Sequence, residues 1–208
     1  SQAVEMQSLL GKTTEGYTMV GLGLDRRNSL FNPTSGFRLS MESRRGTKTF
    51  PVSDTVSVRV DRTRWSAAGE GYLPLNRRWV AAVMSRLDYL DTPEPIVPRY
   101  ELYAVGGAAS LRGYREEQFL TPSAWIFQSE LRWLQDQRGS ALYGFIDAGF
   151  VAPRTALRFQ DTFREFVLGT GVGVRQASKL GILGVEYGFA KGENVLDGRI
   201  HLRIDAVF

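Results

Sequence analysis

The segment Gly198-Arg-Ile-His-Leu-Arg-Ile-Asp-Ala-Val-Phe208 alternates along its whole length. Ile200, Leu202, Ile204, Ala206 and Phe208 are apolar, with His201, Arg203, Asp205 and Val207 between them. Apolar residues at every second position make a strand with one greasy and one wet face. Wound as a helix, the same residues would spread charge around every side. Upstream the pattern recurs. Phe166, Leu168, Thr170, Val172 and Val174 alternate with Val167, Gly169, Gly171, Gly173 and Arg175. Leu183, Val185, Tyr187 and Phe189 alternate with Ile182, Gly184, Glu186, Gly188 and Ala190.

In these strands the bulky apolar residues share one face, and glycine or charge occupies the other. A soluble sandwich turns its bulky face inward. A membrane barrel reverses the solvent, because lipid outside takes the large apolar residues and a wet or plugged lumen takes charge and glycine. Glycine weakens a strand interior, so its repetition on one face points to close approach by another segment or to a strongly bent sheet. Six further segments follow the rule, at 20–25, 37–42, 56–61, 79–89, 125–133 and 142–150, making nine predicted strands. A weak tenth is predicted within Ala3 to Leu10.

Composition narrows the choice. The chain has 208 residues, 43% hydrophobic and 23% charged, with 22 glycines, 12% aromatics and no cysteine. The absence of cysteine excludes a disulfide framework and thiolate metal sites. Apolar runs of only a few residues exclude a membrane-spanning helix, and the start lacks a signal-peptide pattern, which predicts a mature chain or a fragment. A net charge of +4, mixed along the chain, argues only weakly for nucleic acid, which is not expected as a partner. The connections alternate in size. Short ones lie at Leu75–Arg78, Gln135–Ser140 and Gln176–Gly181, long ones at Gly46–Asp54, Thr92–Leu120, Ala152–Glu165 and Lys191–Asp197. This is the asymmetry of an up-and-down outer-membrane barrel, with short periplasmic turns and long outer loops. Trp79, Tyr89, Trp133, Tyr143, Phe150 and Phe208, near strand ends, are predicted to form interfacial girdles. Arg38, Arg59, Arg86, Arg132, Arg175 and Arg203 are predicted on the lumen face.

The longest loop, 92–120, contains Val105-Gly-Gly-Ala-Ala-Ser-Leu-Arg-Gly-Tyr114. Its Leu111-Arg112-Gly113-Tyr114 resembles the loop signature of the outer-membrane protein assembly factor superfamily, which includes the BamA and TamA insertases and the two-partner-secretion transporters. Glu130-Leu-Arg132 on the next strand and Phe145-Ile-Asp147-Ala-Gly149 on the one after resemble two further family features in the same order. Asp25-Arg-Arg-Asn-Ser-Leu-Phe-Asn-Pro-Thr-Ser-Gly36 is similar to the family's turn between a D-R pair and a Pro-x-x-Gly. Ile200, Leu202, Ile204 and Phe208 resemble its C-terminal assembly signal. The resemblance runs from about Tyr17 to the end and implies an antiparallel transmembrane β-barrel whose loop 92–120 folds into the lumen. Residues 1–208 would hold about 8–10 of its strands, with 1–16 a weak first strand or linker. They would form either a complete small barrel or the C-terminal part of a sixteen-stranded one.

An arginine carried into a barrel is costly unless paired, and its fork suits carboxylates. Glu130 and Asp147 face the lumen by parity. Arg112 is therefore expected to pin the loop against both, with Leu111, Tyr114 and Phe145 around it and Gly113 and Gly149 permitting close approach.

No catalytic constellation stands out, so the chain is read as no enzyme, with no cofactor and no metal. Gly169-Thr-Gly-Val-Gly173 imitates a nucleotide fingerprint but opens no helix. The single His201 is read as a lumen hydrogen-bonder. The resemblance implies insertion of barrel proteins into the outer membrane of a Gram-negative bacterium, or translocation of polypeptide across it. The partners are then outer-membrane lipid and client polypeptides, with a homodimer or accessory periplasmic domains also admitted. Two other classes stay open: a barrel that anchors or exports an attached passenger or simply oligomerises, and a soluble carbohydrate-binding β domain.

Overall fold

The computed structural model describes residues 14–30, 32–51, 56–94, 97–136, 140–153, 165–178 and 181–206. The predicted strand within Ala3–Leu10 and the terminal Phe208 lie outside these residues. One antiparallel sheet of nine strands dominates, in the order β1-β2-β3-β4-β7-β8-β9-β10-β11. The strands are β1 (Thr14–Asp25), β2 (Gly36–Pro51), β3 (Ser57–Pro74), β4 (Trp79–Asp91), β7 (Ser123–Leu134), β8 (Ala141–Val151), β9 (Glu165–Ser178), β10 (Gly181–Ala190) and β11 (Arg199–Ala206). Each pairs with the next in sequence, as in an up-and-down barrel wall. Among the described residues, β1 and β11 are its two edges.

The two faces divide as the alternation requires. Leu22, Leu39, Met41, Trp65, Leu131, Ile146, Val172 and Leu183 are exposed on one face, and Ile200, Leu202 and Ile204 are 69–74% exposed. A water-soluble monomer does not display an apolar area of this extent, whereas lipid covers it. The opposite face buries Arg62, Glu130, Arg132, Asp147, Arg175, Glu186 and His201.

Three expectations need correction. The predicted loop 46–54 is strand as far as Pro51, where β2 pairs with the start of β3. Thr47, Lys48 and Thr49 looked like loop because this part of the wall lacks an apolar outer face. Lys48 instead points inward to acids carried by the long loop. In the same extension the predicted parity of β3 is reversed. Arg59 and Asp61 lie opposite Thr49 and Thr47 on the outer face, while Val58 and Val60 share the inner face with Arg62. Finally, Tyr143 is no girdle residue: it is 4% exposed on the inner wall, where its hydroxyl donates to Glu186 Oε1 at 2.7 Å.

The connection between β4 and β7 has structure of its own. A 3-10 turn at Arg99–Glu101 leads into a hairpin of β5 (Tyr103–Val105) and β6 (Phe119–Thr121). Beyond the hairpin, an isolated bridge pairs Gly107 with Leu111. Gly106, Gly107 and Gly113 take φ values of 125°, 84° and 90°, in the left-handed region that only glycine enters freely.

Candidate functional site

The loop tip is seated on the inner wall, and Arg112 is its centre. Arg112 Nε donates to Asp147 Oδ2 at 2.8 Å and Nη2 to Oδ1 at 2.6 Å, a two-toothed grip on one carboxylate. The Arg112 backbone N–H adds a third bond to Oδ2 at 2.9 Å. Nη1 donates to Glu130 Oε1 at 2.6 Å and to Glu186 Oε1 at 2.9 Å. Its Cζ lies 3.9 Å from the centroid of the Phe145 ring. Arg112, Glu186 and Asp147 are among the largest fully buried side chains.

Charge balances locally. Three carboxylates, Glu130, Asp147 and Glu186, face three guanidiniums, because Arg132 Nε donates to Glu130 Oε2 at 2.7 Å and Arg175 Nη2 lies 3.6 Å from that oxygen. Buried ions are tolerated when paired and hydrogen-bonded in this way.

The glycine face now has a cause. A Cβ at Gly169 would overlap the Arg112 carbonyl, one at Gly188 would press on the Gly113 backbone, and one at Gly171 would strike Phe145. Loop backbone thus lies against Gly169 and Gly188, while Gly171 and Gly173 make room for the inward rings of Phe145 and Tyr143. Gly113, at its positive φ, meets the Phe189 backbone. Its N–H donates to His201 Nε2 at 3.1 Å, and its carbonyl accepts from Arg199 Nη1. Gly149 differs from expectation: what approaches it is the Ile126 side chain, not the loop.

Apolar contacts complete the seat. Leu111 is fully buried with Val105, Tyr114, Ala124, Ile126, Val151, Val167 and Ala190. The Tyr114 hydroxyl donates to Leu168 O and accepts from its N–H, both at 3.2 Å.

A second cluster fastens the root of the same loop. Lys48 Nζ donates to Glu94 Oε2 at 3.0 Å and to Glu101 Oε1 at 2.8 Å. Arg62 donates to Glu101 Oε2, and Arg64 Nη2 donates to the Glu101 carbonyl at 2.8 Å. Burial works against ionisation of Glu101, but the bonds from Arg62 and Lys48 outweigh it and hold its carboxyl below its ordinary value. Leu90, Val97 and Leu102 pack beside this cluster.

The structure brings together Leu111, Arg112, Gly113, Tyr114, Glu130, Phe145 and Asp147. Ile200, Leu202 and Ile204 lie apart on the outer face. Sequence reasoning missed Glu186, although it is the lone acid between Gly184 and Gly188 on an otherwise bare face. It also missed the whole Glu101 cluster, which no spacing announces.

A nine-stranded antiparallel wall, apolar outside and charged inside, with a long loop seated on its inner face, defines an outer-membrane barrel of the loop-plugged kind. The Omp85 superfamily domain matches residues 5–208. The chain belongs to the Omp85 superfamily, an outer-membrane family of insertases and transporters. Among solved structures it is similar to BamA from Haemophilus ducreyi lacking POTRA domains 1–3, with a TM-score of 0.69 and 19% identity. That likeness covers 90% of this chain and 41% of the BamA chain, so this chain spans about two fifths of its length. No curated protein matches the chain.

Proposed function

We propose that this chain forms the functional wall of an outer-membrane barrel that inserts β-barrel proteins into the membrane or translocates polypeptide across it. Lipid would lie against the apolar face, and unfolded client polypeptide would be the substrate. One observation carries the reading: Arg112 is buried at the tip of the lumen loop and bonded to acids on β7, β8 and β10. A tip held in this way braces the C-terminal strands against one another while leaving their lipid-facing side free for a client. Leu111, Gly113, Tyr114 and Phe145 shape the seat, and Asp147 and Glu130 hold the cation.

The test compares the parent with Arg112→Ala in the complete protein reconstituted into lipid vesicles. The readout is the folded fraction of an added client barrel, or the polypeptide recovered inside the vesicle. Loss of that activity, with the variant itself still folded, supports the proposal. Unchanged activity overturns it.

A further inference from the structure

The β1–β2 turn, described at residues 26–30 and 32–35, sits at the opposite end of the strands from the point where the long loop leaves β4. Asn28 shapes it. The Asn28 backbone N–H donates to Ser35 O at 3.1 Å, and its Oδ1 accepts from the N–H groups of Thr34 and Ser35 at 3.0 and 3.1 Å. So shaped, the turn offers two acceptors to the inner wall. Pro33 O accepts from Arg132 Nη1 at 3.2 Å, and Asn32 Oδ1 accepts from Arg175 Nη1 at 3.3 Å.

Both arginines also face Glu130. Its Oε2 takes Arg132 Nε at 2.7 Å, with Arg175 Nη2 at 3.6 Å, while its Oε1 takes Arg112 Nη1 at 2.6 Å. A single buried carboxylate thus joins the turn at one end of the wall to the loop tip. Beside the turn lies a cavity of about 490 Å³, lined by Arg27, Arg38, Glu70, Arg132 and Arg175 among others.

We infer that Asn32 and Pro33 are positioning residues for Arg112, acting through Arg132, Arg175 and Glu130. With the turn in, each arginine gives one N–H to the turn and turns another toward Glu130 Oε2, leaving Oε1 to the tip. With the turn out, Arg132 Nη1 loses Pro33 O and Arg175 Nη1 loses Asn32 Oδ1. Losing a partner is costly for such a donor, and Glu130 is the carboxylate already in reach of both guanidiniums, so Arg132 and Arg175 then compete with Arg112 for it. The tip loosens when the turn leaves, and by linkage release of the tip loosens the turn. Movement at the periplasmic mouth would in this way be read at the loop.

The inference rests on the pinned-tip reading, and the experiment separates the two. The chain has no cysteine, and Ala190 is buried in the cluster with Leu111 and Tyr114. Ala190→Cys therefore reports tip release through its labelling rate with a water-soluble maleimide in the membrane-reconstituted full-length protein. Arg112→Ala should give the fully released rate. Asn32→Ala and Asn28→Ala, neither of which touches the tip, should each raise labelling about 5- to 10-fold over the parent. In a Glu130→Ala background Asn32→Ala should add nothing, since the link is gone. Parent-like rates in both turn variants beside a fast Arg112→Ala overturn the relay and leave the pin standing. An undiminished Asn32→Ala effect without Glu130 also overturns it. A slow Arg112→Ala overturns both. If Asn28→Ala does not assemble, Asn32→Ala alone decides.

Discussion

At Arg112 the loop contributes the cation and the wall the acids; at Glu101 the loop contributes the acid and the wall the cations. The two fastenings also differ in how closely the loop approaches. At the tip, glycines on β9 and β10 let backbone lie on backbone, so a rigid fork meets its carboxylates at short range. At the root, long Lys48 and Arg62 side chains reach across to Glu101. Among the described residues the root is less completely satisfied: Arg62 Nε and Glu94 Oε1 are buried without hydrogen-bond partners and Arg62 Nη1 has only an ion pair with Glu15 at 3.5 Å, whereas at the tip Glu186 Oε2 is the atom left so. Close approach gives the tip its strength, while reach makes the root more tolerant of change.

The strongest way to break this contrast is Arg112→Ala. It leaves Asp147 buried without its cation and takes one charged partner each from Glu130 and Glu186, and should destabilise the reconstituted barrel by about 3–5 kcal/mol, measured as a fall in the urea midpoint. Next comes Gly169→Ala, whose methyl would occupy the position of the Arg112 carbonyl and should cost about 1–3 kcal/mol by overpacking. Gly71→Ala on β3 is its control, since nothing lies within 4 Å of the added methyl, and its urea midpoint should stay within about 0.5 kcal/mol of the parent. At the root, Glu101→Gln keeps an acceptor for Lys48 or Arg62 but loses the charge, and should cost about 1–2 kcal/mol. If it costs as much as Arg112→Ala, the two fastenings are equivalent and the contrast fails.

The smallest effect is one of pH. The folded carboxyl of Glu101 titrates below its ordinary value, so its contribution is present above the unfolded pKa and is lost as pH falls through the folded one. Acid should therefore weaken the parent more than Glu101→Gln. Urea midpoints measured from neutral pH downward would show the two converging; parallel curves would mean that Glu101 adds nothing through its charge.

Much of this was readable in the sequence because a barrel wall has a strict period. The strands from β7 onward, where lipid and lumen meet at every second residue, matched their predicted parity as far as Ile204. The misreadings gather where that rule lapses. In the outer extensions of β2 and β3 no lipid enforces an apolar face, and Arg59 came out on the wrong side. Contacts between distant segments have no period at all. Nothing local tells Lys48 that it will meet Glu101, 53 residues on, or Asn32 that it will meet Arg175, 143 residues on. The glycines of β9 and β10 were visible as an anomaly, but only the seated tip explains Gly169 and Gly188, and only the inward Phe145 and Tyr143 rings explain Gly171 and Gly173.

The socket of Arg112 draws on strands that follow it in the chain, with Glu130 18 residues later, Asp147 35 and Glu186 74. The arginine is made first and its last carboxylate much later. A slip of one residue in β8 would swing Asp147 to the lipid side, and a slip in β10 would do the same to Glu186. Any misaligned wall would then leave a guanidinium buried without its full set of acceptors. The tip thus serves as an internal proofreader of strand alignment, accepting only the wall in which several separately formed strands agree.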